Sequence, residues 1–246
     1  MDSTSGIPGL LYANSKISRP DILDDNAFFE WYDEEHIPEL IGTKGFNSAF
    51  RLIDTNPDSE RPHLAVYPTR NFSFFQSNGF KSLKSLQSDK LPGTGAVAEV
   101  MESTSRFDKL VQVYDPTRKG PGGHTKCIIS AQMKSASGPA AEEDIDLWYR
   151  EEHLRLIAKS EGYLRTTRYK LAFSASFPPA SEDEVKPPVW LALHEFETET
   201  VDMAKLAELT ITDWTKKIHE TTKGIFIIYK LSKGFGTKDL FHGVEL

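Results

Sequence analysis

The chain repeats itself, and this limits its possible folds more than any other feature. Residues Trp31 to Leu52 read WYDEEHIPELIGTKGFNSAFRL, and Trp148 to Tyr169 read WYREEHLRLIAKSEGYLRTTRY. At a constant offset of 117, seven of these 22 pairs are identical: Trp31/Trp148, Tyr32/Tyr149, Glu34/Glu151, Glu35/Glu152, His36/His153, Gly45/Gly162 and Arg51/Arg168. Composition alone gives roughly one or two. The same offset aligns LLYANSKIS (Leu10–Ser18) with CIISAQMKS (Cys127–Ser135). HLAVYP (His63–Pro68) matches WLALHE (Trp190–Glu195) at an offset of 127. The extra ten residues fall in the Pro- and acid-rich stretch Phe177–Pro188, expected as a surface loop.

Each half reads β-α-β-β-α-β. The predicted strands are Leu10–Ile17, Phe46–Asp54, Leu64–Tyr67 and Ala96–Ser103, then Cys127–Lys134, Tyr163–Phe173, Val189–Phe196 and Ile225–Leu231. The predicted helices are Asp24–Ile41 and Arg70–Gln87, then Ala141–Ala158 and Thr200–His219. Gly45 and Gly162 are read as helix stops. This is the split βαβ, ferredoxin-like order. Such a unit covers one face of a four-stranded antiparallel sheet with helices and must bury the other. Two units do so by pairing sheet to sheet. The expected fold is therefore α+β: two fused ferredoxin-like repeats, residues 1–118 and 126–246, closing as an intrachain dimeric α/β barrel. Residues 119–125, centred on KGPGGH, are the expected linker.

Charge and composition narrow the partners. With 36 acidic against 29 basic residues, the net charge of −7 disfavours nucleic acid and anionic membrane. Aromatics at 11% and apolar residues at 39% supply a core. A single cysteine, Cys127, rules out an intrachain disulfide framework and a multi-cysteine zinc site. Met1 to Pro8 lacks the basic and apolar regions of a signal peptide, and no run approaches ~20 apolar residues. A cytoplasmic protein is expected, acting on a small molecule; a homodimer of the pseudo-dimer remains open.

The repeated helix carries the candidate chemistry. On an α-helical wheel of about 100° per residue, His36 falls among Phe28, Tyr32 and Leu40 on the apolar stripe. His153 falls among Ile145, Tyr149 and Ile157. A buried imidazole stays neutral and is a competent general base, although packing against a backbone carbonyl accounts for such a histidine equally well. Tyr32 and Tyr149, four residues earlier on the same face, are candidates to orient a phenol or enol. Trp31 and Trp148 sit at the stripe's edge, as helix–sheet packing. Asp33-Glu34-Glu35 reads as a solvated face, with Glu35 and Glu152 borderline. Arg51 and Arg168, on the second strand of each half, are expected inside the barrel, holding a substrate anion or pairing with a helix glutamate. On the third strand, Trp190 and His194 share one face, and His194 is expected to line the lumen. Tyr67 stands in its place in the first half. His63 is expected to be exposed; His124, His219 and His242 are linker, helix-end and tail residues.

No GxGxxG, P-loop, GxSxG or HExxH is present. A haem needs only one histidine ligand but has no other support in the chain. No metal or other cofactor is expected.

The FFEWYDEEHIP and LWYREEH segments, each followed by Gly-Phe or Gly-Tyr and an arginine-bearing strand, resemble the EthD-like branch of the dimeric α/β-barrel superfamily. The resemblance covers both halves. It implies small cofactor-free decarboxylases, cyclases, isomerases and monooxygenases of aromatic or polyketide substrates, besides haem enzymes. Tandem forms resemble proteins of fungal natural-product pathways. The resulting expectation is a cofactor-independent lyase or cyclase/isomerase using His36, His153 and His194 for proton transfer. Tyr32, Tyr149, Arg51, Arg168, Tyr67 and Trp190 would bind the substrate. The alternatives are a cofactor-free monooxygenase of a phenolic substrate and a non-catalytic small-molecule-binding protein.

Overall fold

The computed structural model describes residues 6–83, 86–121, 123–136, 138–179 and 187–244. Met1–Ser5 of the signal-peptide reading, residues 84–85 of the predicted helix Arg70–Gln87, Gly122 of the linker and residues 180–186 of the predicted loop lie outside the described residues. Eight strands alternate with short helices: β1 (Gly9–Ile17), β2 (Ser48–Asp54), β3 (His63–Thr69), β4 (Met101–Tyr114), β5 (Cys127–Ser135), β6 (Tyr163–Phe177), β7 (Trp190–Phe196) and β8 (Thr222–Gly236). They close into an α+β barrel in the order β1-β3-β2-β8-β5-β7-β6-β4, every neighbouring pair antiparallel.

The long strands β8 and β4 make the two seams that join the halves. β8 pairs with β5 through its first part and with β2 through Tyr229–Gly236. β4 pairs with both β1 and β6. Closure leaves no sheet edge, which disposes of the unpaired backbone groups that an open sheet exposes. The predicted last strand of the second half, Ile225–Leu231, is too short, and that of the first half, Ala96–Ser103, is misplaced: Val97–Glu99 is a 3₁₀ turn and the strand runs from Met101 to Tyr114. MESTSRFDKLVQVY carries polar and charged residues at inward positions, and these mask its apolar alternation.

The barrel interior is packed solid. Leu10, Tyr12, Phe50, Leu52, Leu64, Val66, Ile128, Tyr169, Leu191, Leu193 and Tyr229 fill it. Arg106 is buried with them and makes a bidentate pair with Asp108 at 2.8 and 3.0 Å, with a third bond to Gln132 at 2.8 Å. A guanidinium away from water needs such complete pairing.

Helices cover the outside. α1 (Asp25–Trp31) and α2 (Ile37–Gly42) belong to the first half; α4 (Pro139–Trp148) and α5 (Leu154–Ile157) are their counterparts. Asp24 caps α1 by accepting from Ala27 N at 2.8 Å. Between α1 and α2, Tyr32–His36 forms a π-helical turn, with Ile37 N–H bonded to Tyr32 O. Tyr149–His153 does the same, with Leu154 N–H bonded to Tyr149 O. A π turn holds one extra residue, so positions five apart come onto one face. The α-helical wheel therefore misplaced both tryptophans: Trp31 and Trp148 are buried to within 2%.

The second helices differ between the halves. The predicted Arg70–Gln87 helix is a 3₁₀ turn at Phe72–Gln76 followed by the one-turn α3 (Asn78–Lys81). The predicted Thr200–His219 helix is two helices, α6 (Met203–Thr210) and α7 (Asp213–Thr221), capped by Asp202 and Thr212. Gly162 adopts φ +72° as a left-handed helix stop, but in the first half Lys44 takes that conformation at φ +61°. Gly45 is instead required by the Phe74 ring, which lies 2.3 Å from where a Cβ would sit. Among the described residues no helix is long and apolar enough to cross a membrane.

Candidate active site

The repeated motif builds two aromatic–histidine clusters, one under each helix layer. In the first half the His36 ring stacks on Trp31 at 5.0 Å and 28°. Tyr32 meets it edge-on at 4.8 Å and Tyr67 at 6.3 Å. Burial pushes His36 down to about 4 and Tyr32 up to about 12, so both stay neutral at ordinary pH. Around them the site is plugged by phenylalanine. Phe46 packs on Tyr67 at 5.6 Å and is itself enclosed by Phe74, Phe75 and Phe80.

In the second half the same motif borders a cavity of about 210 Å³. His153 lies on Trp148 at 4.1 Å and 28°, with Tyr149 edge-on at 5.1 Å. His194, from β7, completes the cluster 6.1 Å from His153 and 6.3 Å from Tyr149. The walls are Ile129 and Ala131 from β5, Ile157, Leu206 and Ala207 from the helices, and Phe226 from β8. Ala207 and Thr210 on α6 and Thr215 on α7 line this space, where phenylalanines pack around the motif of the first half. Met203 and Phe226, 41% and 54% exposed, stand where the cavity meets solvent.

Three polar groups converge on this apolar space. Burial, reinforced by the Arg168 charge, pushes His194 down to about 3. Burial likewise holds His153 well below the ordinary imidazole value, helped by His194, His219 and Arg168. Tyr149 is pushed up to about 12 by burial. Among the described residues its hydroxyl bonds only the sulfur of Met133, at 3.8 Å, a weak acceptor. Two neutral imidazoles and a weakly engaged phenol in a dry pocket can take, hold and return protons. Among the described residues no group of three or more His, Cys, Asp or Glu side chains gathers as a metal site.

No protein-family model matches the chain. Over 205 residues it is 23% identical to core atranone cluster protein 1 of Stachybotrys chlorohalonatus, spanning 78% of this chain and 83% of that one. Among solved structures it is similar to an anthrone oxidase-like protein, with TM-score 0.57 and 9% identity over 100% of this chain and 99% of the other. A candidate monooxygenase of Fusobacterium nucleatum gives TM-score 0.57 and 10% identity over 96% and 97% of the two chains. One from Lactobacillus acidophilus gives 0.55 and 9% over 94% and 97%. These likenesses establish a shared barrel fold.

Several expected residues occupy other places. His194 does not line the lumen. It lies with Trp190 and Phe196 on the helix-facing side of β7, while Leu191 and Leu193 point inward. Arg51 and Arg168 also face the helices, each paired with an aspartate rather than a glutamate. Arg51 holds Asp33 at 3.0 Å and lies 4.0 Å over Phe29. Arg168 meets Asp146 at 2.8 Å and Gln112 at 2.6 Å, beneath the Tyr149 ring. Asp33 is thus a buried-side partner, bound also by Lys233, and not a solvated residue. Trp190 stacks near Arg168 and Lys170 and does not line the cavity. His63 is buried against Phe28 and Phe29, 3.4 Å from Asp25. Glu35 bonds Ser88, and Glu152 accepts from Thr212 at 2.6 Å, so both tie helices to neighbouring segments.

Sequence reasoning missed the helices α6 and α7 as cavity walls and His219 at the cavity rim. It also missed Tyr163 and Thr166, hydrogen-bonded in line behind His194. The available signal was the repeat: the same offset sets Tyr163 against Phe46 and Thr166 against Ala49.

Proposed function

We propose that this chain is an enzyme that ionises a flat, enolisable aromatic ketone or phenol in the second-half cavity, and that the resulting anion reacts with molecular oxygen. One observation carries the choice among the chemistries open to such a fold. The cavity offers neutral imidazoles and a phenol in apolar walls, while the nearby cation, Arg168, is not among its lining residues and is paired with Asp146 and Gln112 beneath the Tyr149 ring. Decarboxylation calls for a cation to anchor the substrate carboxylate. Removing a proton from a neutral ring substrate does not. The anion so formed sits beside the imidazole and raises its affinity for the proton, so proton transfer and anion binding support each other. An apolar space also suits oxygen.

The anthrone oxidase-like and monooxygenase-type neighbours support this reading, and the relative named for the atranone cluster supports a place in secondary metabolism. The halves are read as two copies of one EthD-like, ferredoxin-like unit, residues 1–118 and 126–246, of which only the second keeps a working site. A cavity of about 150 Å³ accommodates benzene. At about 210 Å³ this one takes a larger ring, and the exposed Met203 and Phe226 can yield to a fused system.

The test is an oxygen electrode with anthrone and a dihydroxynaphthalene as probes. For anthrone, one O₂ is consumed, one oxygen atom becomes the new carbonyl of anthraquinone and the other leaves as water. Stoichiometric oxygen uptake is the expected result. Product without oxygen uptake means isomerisation or cyclisation; binding without product means a carrier.

A further inference from the structure

The hydroxyl of Tyr163 lies 2.8 Å from Thr166 Oγ1, and Thr166 Oγ1 lies 2.7 Å from His194 Nδ1. All three residues are buried. This chain of hydrogen bonds can run in one of two directions, and the direction fixes the imidazole tautomer. If His194 Nδ1–H donated to Thr166, and Thr166 to Tyr163, the phenol proton would need a further acceptor. Among the described residues the Tyr163 hydroxyl has no other hydrogen-bond partner. Leaving that proton unpaired costs about 1–3 kcal/mol. In the other direction Tyr163 donates to Thr166, Thr166 donates to Nδ1, and the one remaining proton belongs to an imidazole that lines the cavity, where a ligand oxygen can accept it. The ring proton then sits on Nε2.

We infer that His194 is a hydrogen-bond donor to a ligand oxygen in the cavity, held in its Nε2–H tautomer by Tyr163 and Thr166, and is not the proton-abstracting base. Its Nδ1 lone pair is occupied and its Nε2 carries hydrogen, so neither nitrogen can accept a proton from the ligand. It can instead stabilise the negative charge that builds on a carbonyl or phenol oxygen during ionisation, as a preorganised donor in a water-poor site does. The base role falls to His153, the other imidazole lining the cavity, 6.1 Å from His194. Tyr163 and Thr166 are positioning residues: they act on the ligand only through His194.

The chain contains its own control. The corresponding positions of the first half are Phe46, Ala49 and Tyr67. None of the three parts of the relay is kept there, although the Trp–Tyr–His motif beside it is. Packing alone does not call for all three to differ together.

This assignment rests on the proposed function for the nature of the ligand, but its test needs neither substrate nor turnover. Long-range ¹H–¹⁵N NMR of the full-length protein, with the His194 signals assigned through His194→Gln, reads the tautomer directly. The expected spectrum has Nε2 in the protonated range and Nδ1 in the unprotonated range. Thr166→Val, close in shape, is expected to move both nitrogens toward an averaged value, and Thr166→Ser to restore them. A wild-type ring protonated on Nδ1, or a spectrum unchanged by Thr166→Val, overturns the assignment. Either result leaves the oxygen-uptake test untouched, and failure of oxygen uptake leaves the tautomer result standing.

Discussion

The imidazole of His153 lies 4.1 Å from the indole of Trp148 and within 28° of parallel to it, although five residues separate them. The π turn makes this possible. In a regular α-helix the two would be about 140° apart. Stacking fixes the ring plane and directs its edge at the cavity. Trp148 is itself anchored by its indole N–H, which donates to Thr215 Oγ1 at 3.1 Å. His36 stacks similarly on Trp31, but Phe46 and its neighbours fill the space around Tyr67. His153→Ala is therefore expected to lower turnover of a competent substrate by ~100-fold or more, and His36→Ala to leave it within a few-fold. Rates normalised to folded protein check this; equal losses would mean that both halves work.

Acid is expected to destabilise the fold early. His36, His153 and His194 all have native pKa values below the unfolded value of about 6.5, chiefly through burial. Below that value the unfolded chain binds protons that the native state refuses, so stability falls as pH falls. The histidine contribution is complete above about pH 6.5. It shrinks by roughly 1.4 kcal/mol per pH unit for each refused proton, down to the native pKa values. Urea midpoints measured from pH 7 to pH 4 test the slope, which His36→Gln should make shallower.

The two helix stops predict opposite outcomes. Gly162→Ala must hold φ +72° and places a Cβ 2.6 Å from Thr198 Cγ2, so a loss of about 1–3 kcal/mol is expected. Lys44→Gly relieves a strained left-handed lysine, so a gain of up to about 1 kcal/mol is expected. Thermal or urea unfolding distinguishes them.

Arg168 is buried beneath Tyr149 and depends on Asp146 for its counter-charge. Asp146→Asn leaves the guanidinium poorly compensated. Because the Asp146 side chain keeps 29% of its exposure, about 1–3 kcal/mol is expected in place of the larger loss of a fully buried pair. Adding Arg168→Met should recover part of that loss. It should also raise the His194 pKa, since the Arg168 charge is one of the influences holding it down. A double-mutant cycle and the His194 NMR titration measure the two effects.

The halves should not survive alone. β2 depends on β8 and β6 on β4 across the seams, so residues 1–118 or 126–246 by themselves expose strand edges and the apolar barrel interior. Each is expected to aggregate or self-pair, and the two to associate when coexpressed. A monomeric, cooperatively folding half would overturn this account of the seams.

The sequence by itself determined the strand count, the pairing of an apolar helix stripe with each sheet, and the motif that gathers Trp148, Tyr149 and His153. These follow from periodicity and repetition, which are local properties written into neighbouring residues. Tertiary structure decided the rest. Alternation put His194 and Arg168 on one side of their strands, but only closure of the barrel made that the helix side, because the lumen is too narrow for anything but packed side chains. The i to i+5 register of the π turn depends on the layers that clamp the helix, so an α-helical wheel could not find it. The Trp-Tyr-x-Glu-Glu-His core of the motif is the same in both halves, and the sequence separates them elsewhere, at Tyr67 against His194. The cavity beside His153 is walled by Ala207, Thr210 and Thr215 from α6 and α7, while phenylalanines from a distant turn close the space around Tyr67. Empty volume is set by what packs opposite, across the full length of the chain, and no stretch of neighbouring residues encodes it.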